Sequence, residues 1–416
     1  LWAEHLYLHG EVSFPWLVLG NGFAGDVWAV QWYELTGALG GSLWVLLTNV
    51  LLFELILNRK RRGVAVATGL VALVPIVASL LIGAGLEENE GAQKATVTVV
   101  QPNIDPYKEK YSLPTHQQLA IFRSLIEEAP EEVDFIVLPE TVIGDSGNII
   151  WEHKHLDNGS VQALERVRSE RYPRAQIITG AMTSKVYRQG ESVSRTARNQ
   201  GGLWYDRYNT ALALDGDSTL KVSHKSRLVV GVEKMPYMNL LKPLEKLIVN
   251  LGGTTGELGT DKYRRLFLLR NDHFPYGVSV AAPICYESVY GDHFGAFAAD
   301  GAEIMMVITN DGWWHDTEGY RQHFSYSRLR AIETRRWVCR AANTGISGFI
   351  SPSGEVIKSL GWDERGVLTH QVTPSRKVTL YAKAGDYLGR LGTYLWILSL
   401  LYYVSYRFRR RSHLVK

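Results

Sequence analysis

Val278-Ser279-Val280-Ala281-Ala282-Pro283-Ile284 is an apolar run that ends on Cys285 and passes at once into Tyr286 and Glu287. A short apolar run with β-branched residues reads as a buried strand. A reactive side chain at the end of such a strand is a common way for an α/β enzyme to present a nucleophile. Two other strand ends carry ionisable partners. Phe135-Ile136-Val137-Leu138-Pro139 runs into Glu140, and Leu220-Lys221-Val222-Ser223-His224 leads into Lys225. A carboxylate, an ammonium and a thiol form one possible catalytic set.

Working outward from these ends, short β-branched segments alternate with helical ones from Lys94 onward. Ala95 to Gln101 reads as a buried strand, and Pro114 to Ala129 has apolar residues at helical spacing after a proline suited to a first turn. Phe135 to Leu138, Ile177 to Met182 and Val278 to Ile284 are further strands, and Leu203 to Leu214 with Thr219 to Ser223 is a hairpin turning at Asp215-Gly216-Asp217. Ile304 to Ile308, a charged helix near Thr317 to Thr334, Trp337 to Ala341 and a hairpin at Ser351-Pro352-Ser353-Gly354 follow. This alternation defines an α/β fold. The 416 residues exceed one average domain, and the formal charge of +3, spread through the middle, argues against a nucleic-acid partner. Two cysteines exclude a disulfide framework and a thiolate zinc cluster.

Membrane segments flank the α/β region. Val64 to Leu86 carries no charge and is long enough to cross a hydrocarbon core of about 30 Å. Leu35 to Leu57 is nearly as apolar, with Glu54 near one end, and Arg59-Lys60-Arg61-Arg62 lies between the two. The positive-inside rule places that loop in the cytoplasm and the segment from Glu87 to about Asp386 outside. Residues 391–406 form a third apolar run rich in Tyr and Trp, followed by Arg407, Arg409, Arg410 and Arg411, which the same rule returns to the inside. The expected organisation is a membrane region over residues 1–86, with spans at about 35–57 and 64–86, an extracytoplasmic catalytic domain over 94–386, and a C-terminal span with a basic tail to 416. The chain starts at Leu1 without a visible signal peptide and is expected to lack its natural N-terminus. The opening stretch, with Phe14-Pro15-Trp16, reads as an interfacial loop carrying Trp anchors.

The order Glu140, Lys225, Cys285 and the words LPET, SHKSRL and ICYES resemble the nitrilase, or carbon-nitrogen hydrolase, superfamily over roughly residues 95–363. The hydrophobic segments at both ends narrow the resemblance to its membrane-bound branch, the apolipoprotein N-acyltransferases. The resemblance implies a four-layer αββα sandwich inserted between transmembrane helices. It implies Cys285 as nucleophile, Glu140 as general base and acid with a pKa raised by its pocket, and Lys225 as the partner that favours thiolate and donates to the oxyanion. Tyr286 and Glu287 match the superfamily's cysteine motif. Glu233, in VVGVEKMP, matches an additional active-site glutamate, although the wording departs from the commoner Pro-Phe-Gly-Glu. Asn310 and Trp313, in Asn310-Asp311-Gly312-Trp313-Trp314, match a loop near the nucleophile and are substrate-wall candidates.

Met235 to Leu251 with the following glycines reads either as a mobile lid able to touch lipid or as an ordinary amphipathic surface helix. The implied activity moves an acyl chain from a membrane phospholipid to the α-amine of a diacylglyceryl-cysteine at the start of a lipoprotein, through a thioester. The implied site lies on the periplasmic side of a bacterial inner membrane, in a multi-pass protein that needs no cofactor or metal. A membrane-tethered amidase or nitrilase acting on a small C-N substrate is the alternative. A Cys-His enzyme using His224, His293, His315 or His323 lacks a recognisable local signature. Cys339, in WVCRAAN, shows no comparable partners and reads as core.

Overall fold

The computed structural model describes residues 1–58, 61–86, 91–110, 112–144, 149–237 and 257–414. Strands β1 (Ala95–Gln101), β2 (Phe135–Val137), β3 (Ile150–Trp151), β4 (Gln176–Val186), β5 (Arg198–Gln200), β6 (Leu203–Leu214) and β7 (Lys221–His224) belong to one sheet. Strands β8 (Phe267–Leu269), β9 (Val278–Ala281), β10 (Ile304–Thr309), β11 (Val338–Ala342), β12 (Ser347–Ile350) and β13 (Val356–Leu360) form a second. Strand β14 (Gly366–Val372) crosses back to the edge of the first, giving the order β14-β1-β2-β4-β6-β5 there and β13-β12-β11-β10-β9-β8 in the other.

Each sheet has a parallel centre, β1-β2-β4 in one and β9-β10-β11 in the other. Parallel neighbours need crossovers, and helices supply them: Thr115–Ile126 and Gly159–Arg171 on the first sheet, Gly291–Ala299 and Glu318–Thr334 on the second. The side-chain period of two then sorts residues between layers. Phe135 and Val137 of β2 join Val280, Met306 and Ala341 in the core between the sheets, while Ile136 and Leu138 turn to Phe122 and Leu164 of the outer helices. Met305 and Val307 do the same on the far side, against Phe294 and Ala331. The result is the expected αββα sandwich.

Strand β9 stops at Ala281, three residues short of the expected end, because Pro283 has no N–H to give a ladder. Ile284 regains a single bridge to Ile308, so the cysteine leaves the sheet at its carboxyl edge. Strand β14, unmarked in the sequence by any turn signal we used, closes the first sheet antiparallel to β1.

Helices Ala38–Leu57 and Arg62–Ala84 are long and apolar enough to cross a membrane, and their large side chains stay uncovered, among them Val50, Phe53, Ile56, Leu70, Leu73 and Leu81. A core helix of a soluble domain would bury that face, so these are candidate membrane spans. Pro75 interrupts the second and leaves the Val71 carbonyl without its intrahelical partner. The Trp44 indole N–H of the first donates to that carbonyl at 2.8 Å, a repair suited to a medium without water. The expected third span lies within a helix Tyr387–Leu414, which does not reach the same apolarity: its run is diluted by Gly, Ser and Tyr and bounded by Arg390 and Arg407.

Candidate active site

The loop after β2 is fastened to β4. The Leu138 N–H donates to the Ile178 carbonyl, the Gly180 N–H to the Pro139 carbonyl and the Val142 N–H to the Gly180 carbonyl, at 2.8, 2.9 and 2.8 Å. Gly180 is needed there, since a Cβ would sit 2.5 Å from both the Glu140 Cα and the Thr141 N. This close approach turns the Glu140 carboxylate inward, where it is 8% exposed. Its Oε2 accepts from the Asn310 N–H at 3.1 Å, and its Oε1 from Asn209 Nδ2 at 2.7 Å and Lys225 Nζ at 3.1 Å.

Lys225 follows β7, with its N–H on the Asn209 carbonyl at 2.8 Å and its side chain 1% exposed. The ammonium also reaches Glu233 Oε1 at 3.0 Å, and Asn209 Nδ2 lies 3.0 Å from the same oxygen. The second Glu233 oxygen accepts the Val229 N–H at 2.8 Å. Removing one charge of a buried pair costs about 3–5 kcal/mol, so the three side chains are mutually dependent. Burial alone would lower the lysine's pKa, but the Glu140 and Glu233 carboxylates outweigh it and hold it raised.

Cys285 adopts φ +48°, a left-handed conformation, at the start of a 3₁₀ turn Cys285–Val289. The thiol is within electrostatic reach of Glu140, Lys225 and Asp311. Burial and then Glu140 push the thiol's pKa up, against the opposing pull of Lys225. Lys225 thus acts on the thiol in the expected direction, toward thiolate, and is outweighed by burial and by Glu140.

The remaining candidates take other places. Glu287 is buried but lies outside the Glu140–Lys225–Glu233 group. Its Oε2 accepts the Ile284 N–H at 3.0 Å and its Oε1 the Ser226 and Arg227 N–H groups at 2.6 and 3.2 Å, tying the cysteine turn to the lysine segment. Against the effect of burial, His293 and these N–H donors keep its carboxyl below the usual range. Tyr286 points its hydroxyl at the Ser13 carbonyl, 2.7 Å away, and its ring stacks at 5.7 Å on Trp16. Trp16 also packs on Trp314 and Tyr326, so the opening loop covers the cysteine turn. Asn310 is buried and gives Glu140 its backbone N–H, while its side chain accepts from Gly312 and Asn343. Trp313 is 40% exposed at the rim, beside Tyr107.

Asn209 escaped the sequence reading. Its signal was an amide in the middle of the apolar strand YNTALAL, where asparagine is normally depleted. Cys339 is free and fully buried between the sheets. Nearly all of the expected lid, Met235 to Leu251, lies outside the described residues. Among the described residues, His5, His9 and Asp386 bring donor atoms within 4.8 Å of one another, but His9 is engaged by Asp292 and Asp386 by the Tyr381 hydroxyl.

Residues 96–380 match the carbon-nitrogen hydrolase family. The apolipoprotein N-acyltransferase of Chlorobaculum tepidum is 30% identical over 390 residues, covering 92% of this chain and 71% of that protein. Its counterpart in Gloeobacter violaceus is 28% identical over 411 residues, 96% of this chain and 70% of that protein. Among solved structures, Nit3 of Saccharomyces cerevisiae, from branch 10 of the nitrilase superfamily, aligns with a TM-score of 0.46 and 16% identity over 68% of this chain and 91% of that one. On the family match and these curated relatives, the chain belongs to the carbon-nitrogen hydrolase family and, within it, to the apolipoprotein N-acyltransferases.

The raised thiol pKa has a measurable sign. Thiolate is the species that reacts, so alkylation of Cys285 by iodoacetamide should rise about tenfold per pH unit from pH 7 to 9 without a plateau. A plateau below pH 7 would contradict the assignment.

Proposed function

We propose that the protein transfers an acyl chain from a membrane phospholipid to the α-amine of an N-terminal diacylglyceryl-cysteine, with Glu140, Lys225 and Cys285 as the catalytic residues. The observation that carries this reading is a buried thiol beside a carboxylate and a lysine already bonded to each other at 3.1 Å, in a domain that follows two candidate membrane spans. The curated relatives carry the name of that activity.

In this mechanism Glu140 takes the Cys285 proton as Sγ bonds to the ester carbonyl carbon. Negative charge then develops on the carbonyl oxygen, where the Lys225 ammonium stabilises it. The intermediate collapses with cleavage of the ester C–O bond. Glu140 returns the proton to the leaving oxygen, a lysophospholipid departs, and a thioester remains. The lipoprotein amine then attacks the thioester carbonyl, Glu140 accepts a proton from the nitrogen, and cleavage of the C–S bond gives an amide and restores the thiol. Asn209 and Glu233 hold the carboxylate and lysine in register throughout. Excluding water from the buried thiol protects the thioester from hydrolysis.

The domain division over 1–86, 94–386 and 391–406 belongs to the same proposal, with the catalytic domain on the periplasmic side of a bacterial inner membrane. In a background of Cys285→Ser and Cys339→Ser, a cysteine placed at Ser192 should react with an impermeant reagent in spheroplasts and one at Arg62 should not. The reverse pattern would invert the orientation.

For the chemistry, membranes containing the protein are given phospholipid with a labelled acyl chain. The label should appear on the Cys285 peptide in a bond cleaved by neutral hydroxylamine. Adding a diacylglyceryl-cysteine peptide should move it to the peptide's N-terminal nitrogen as a hydroxylamine-resistant amide. Ammonia release from a small amide or nitrile without any acyl-enzyme would favour the amidase alternative instead.

A further inference from the structure

Directly beneath Cys285 lies a second buried cluster of ionisable groups that the steps above do not use. His323, in helix Glu318–Thr334, has no exposed surface. Its Nδ1 is 2.8 Å from Asp311 Oδ1 and 3.0 Å from an Arg340 guanidinium nitrogen. That same nitrogen donates to Asp311 Oδ2 at 2.7 Å, and Thr309 donates to Oδ1 at 2.9 Å. On its other side, His323 Nε2 is 3.2 Å from the Cys285 carbonyl oxygen and 3.0 Å from Ser288 Oγ, which itself donates to that carbonyl at 2.7 Å. Asp311 and Arg340 are fully buried as well, and Gly345 leaves room for the aspartate, since a Cβ there would lie 2.8 Å from it.

A fully desolvated Asp, His and Arg are costly unless each is satisfied, and here each is. The imidazole is turned away from the role a Cys-His enzyme would give it, because it meets the backbone carbonyl of Cys285. In the tautomer whose Nδ1 accepts from the Arg340 guanidinium, the ring's Nε2 carries the proton and meets the Cys285 carbonyl. Two donors, His323 and Ser288, therefore converge on one carbonyl, at the residue whose φ of +48° is disfavoured for any side chain with a Cβ.

The consequence reaches the reacting atoms through the peptide plane. The Cys285 carbonyl and the Tyr286 N–H share one rigid trans peptide and point in opposite directions. At the start of a helical turn the first N–H groups have no intrahelical acceptor. Clamping the carbonyl thus fixes where the Tyr286 N–H points and where the thiol stands relative to Glu140.

We propose that Asp311, His323 and Arg340 form a positioning device that holds the Cys285–Tyr286 peptide in its reactive orientation. The device acts through Ser288 and the Cys285 carbonyl, and none of its members touches substrate. The proposal rests on Cys285 being the nucleophile.

The test compares His323→Phe with His323→Gln in the membrane-embedded protein. Phenylalanine keeps the ring that packs 5.3 Å from Trp314 but has no donor, while glutamine brings an amide N–H within reach of the carbonyl. Single-turnover thioester formation should fall about 10²–10³-fold in His323→Phe, the range for a lost transition-state donor, with half-saturating phospholipid unchanged within about threefold. His323→Gln should stay within about tenfold of wild type, and the loss in His323→Phe should exceed what any drop in its melting temperature accounts for. Equal losses in the two variants, or losses that track melting temperature, would overturn the device. If His323→Phe does not fold, Ser288→Ala reads the same point: its thioester rate should fall with lipid half-saturation unchanged, and a wild-type rate would overturn the device. Retained transfer in Cys285→Ser would instead sink the nucleophile reading on which the proposal rests.

Discussion

The ammonium of Lys225, sealed from water between the carboxylates of Glu140 and Glu233, is the interaction on which the rest of the site depends. Alone, any of the three would be a buried charge without compensation, and the fold would have to open or the group change its protonation. Together they leave one net negative charge, which Asn209 and the backbone N–H groups of Asn310 and Val229 disperse. The cost of this arrangement falls on the thiol. Burial and the Glu140 charge push its pKa up, and in the proposed mechanism it gives its proton to Glu140.

The same domain is bolted to the segments that carry the candidate spans. Glu333 Oε1 accepts the Ala38 N–H at 3.0 Å, capping the first turn of helix Ala38–Leu57 where the helix dipole favours a carboxylate. Burial pushes that carboxyl up to about 7, with Arg330 opposing. Two residues on, the Arg335 guanidinium holds both the side chain and the carbonyl of Gln31 at 2.7 Å. Ser13 receives the Tyr286 hydroxyl on its carbonyl and meets the Tyr290 hydroxyl at 2.6 Å. These contacts tie the segments that carry the candidate spans to the catalytic domain and the cysteine turn.

Much of this was legible in the sequence because it depends on local rules. Short β-branched apolar runs exposed the strands from Ala95 to Ala341, and the uncharged run from Val64 exposed a span. The strand-end positions of Glu140, Lys225 and Cys285 followed from those strands. What stayed hidden depends on contacts between distant segments. Asn209 is an isolated amide until β6 brings it against Glu140 and Lys225. Glu287 looks like an active-site acid until its oxygens are seen bonded to Ile284, Ser226 and Arg227. His323 reads as a stray histidine on a charged helix, and only packing places it under the cysteine. The cover that Trp16 gives the cysteine turn was hidden because nothing local joins residue 16 to residues 286 and 314.

The central claim is that Glu140 and Cys285 work as one unit, with the carboxylate moving the proton that the thiol must lose. Groups that act together do not contribute independent factors to the rate. The most direct test is therefore a cycle of acyl-transfer rates for Glu140→Gln, Cys285→Ser and the double variant. A unit predicts that the double variant is no slower than the worse single one. Losses that multiply would show two independent contributions and contradict the account.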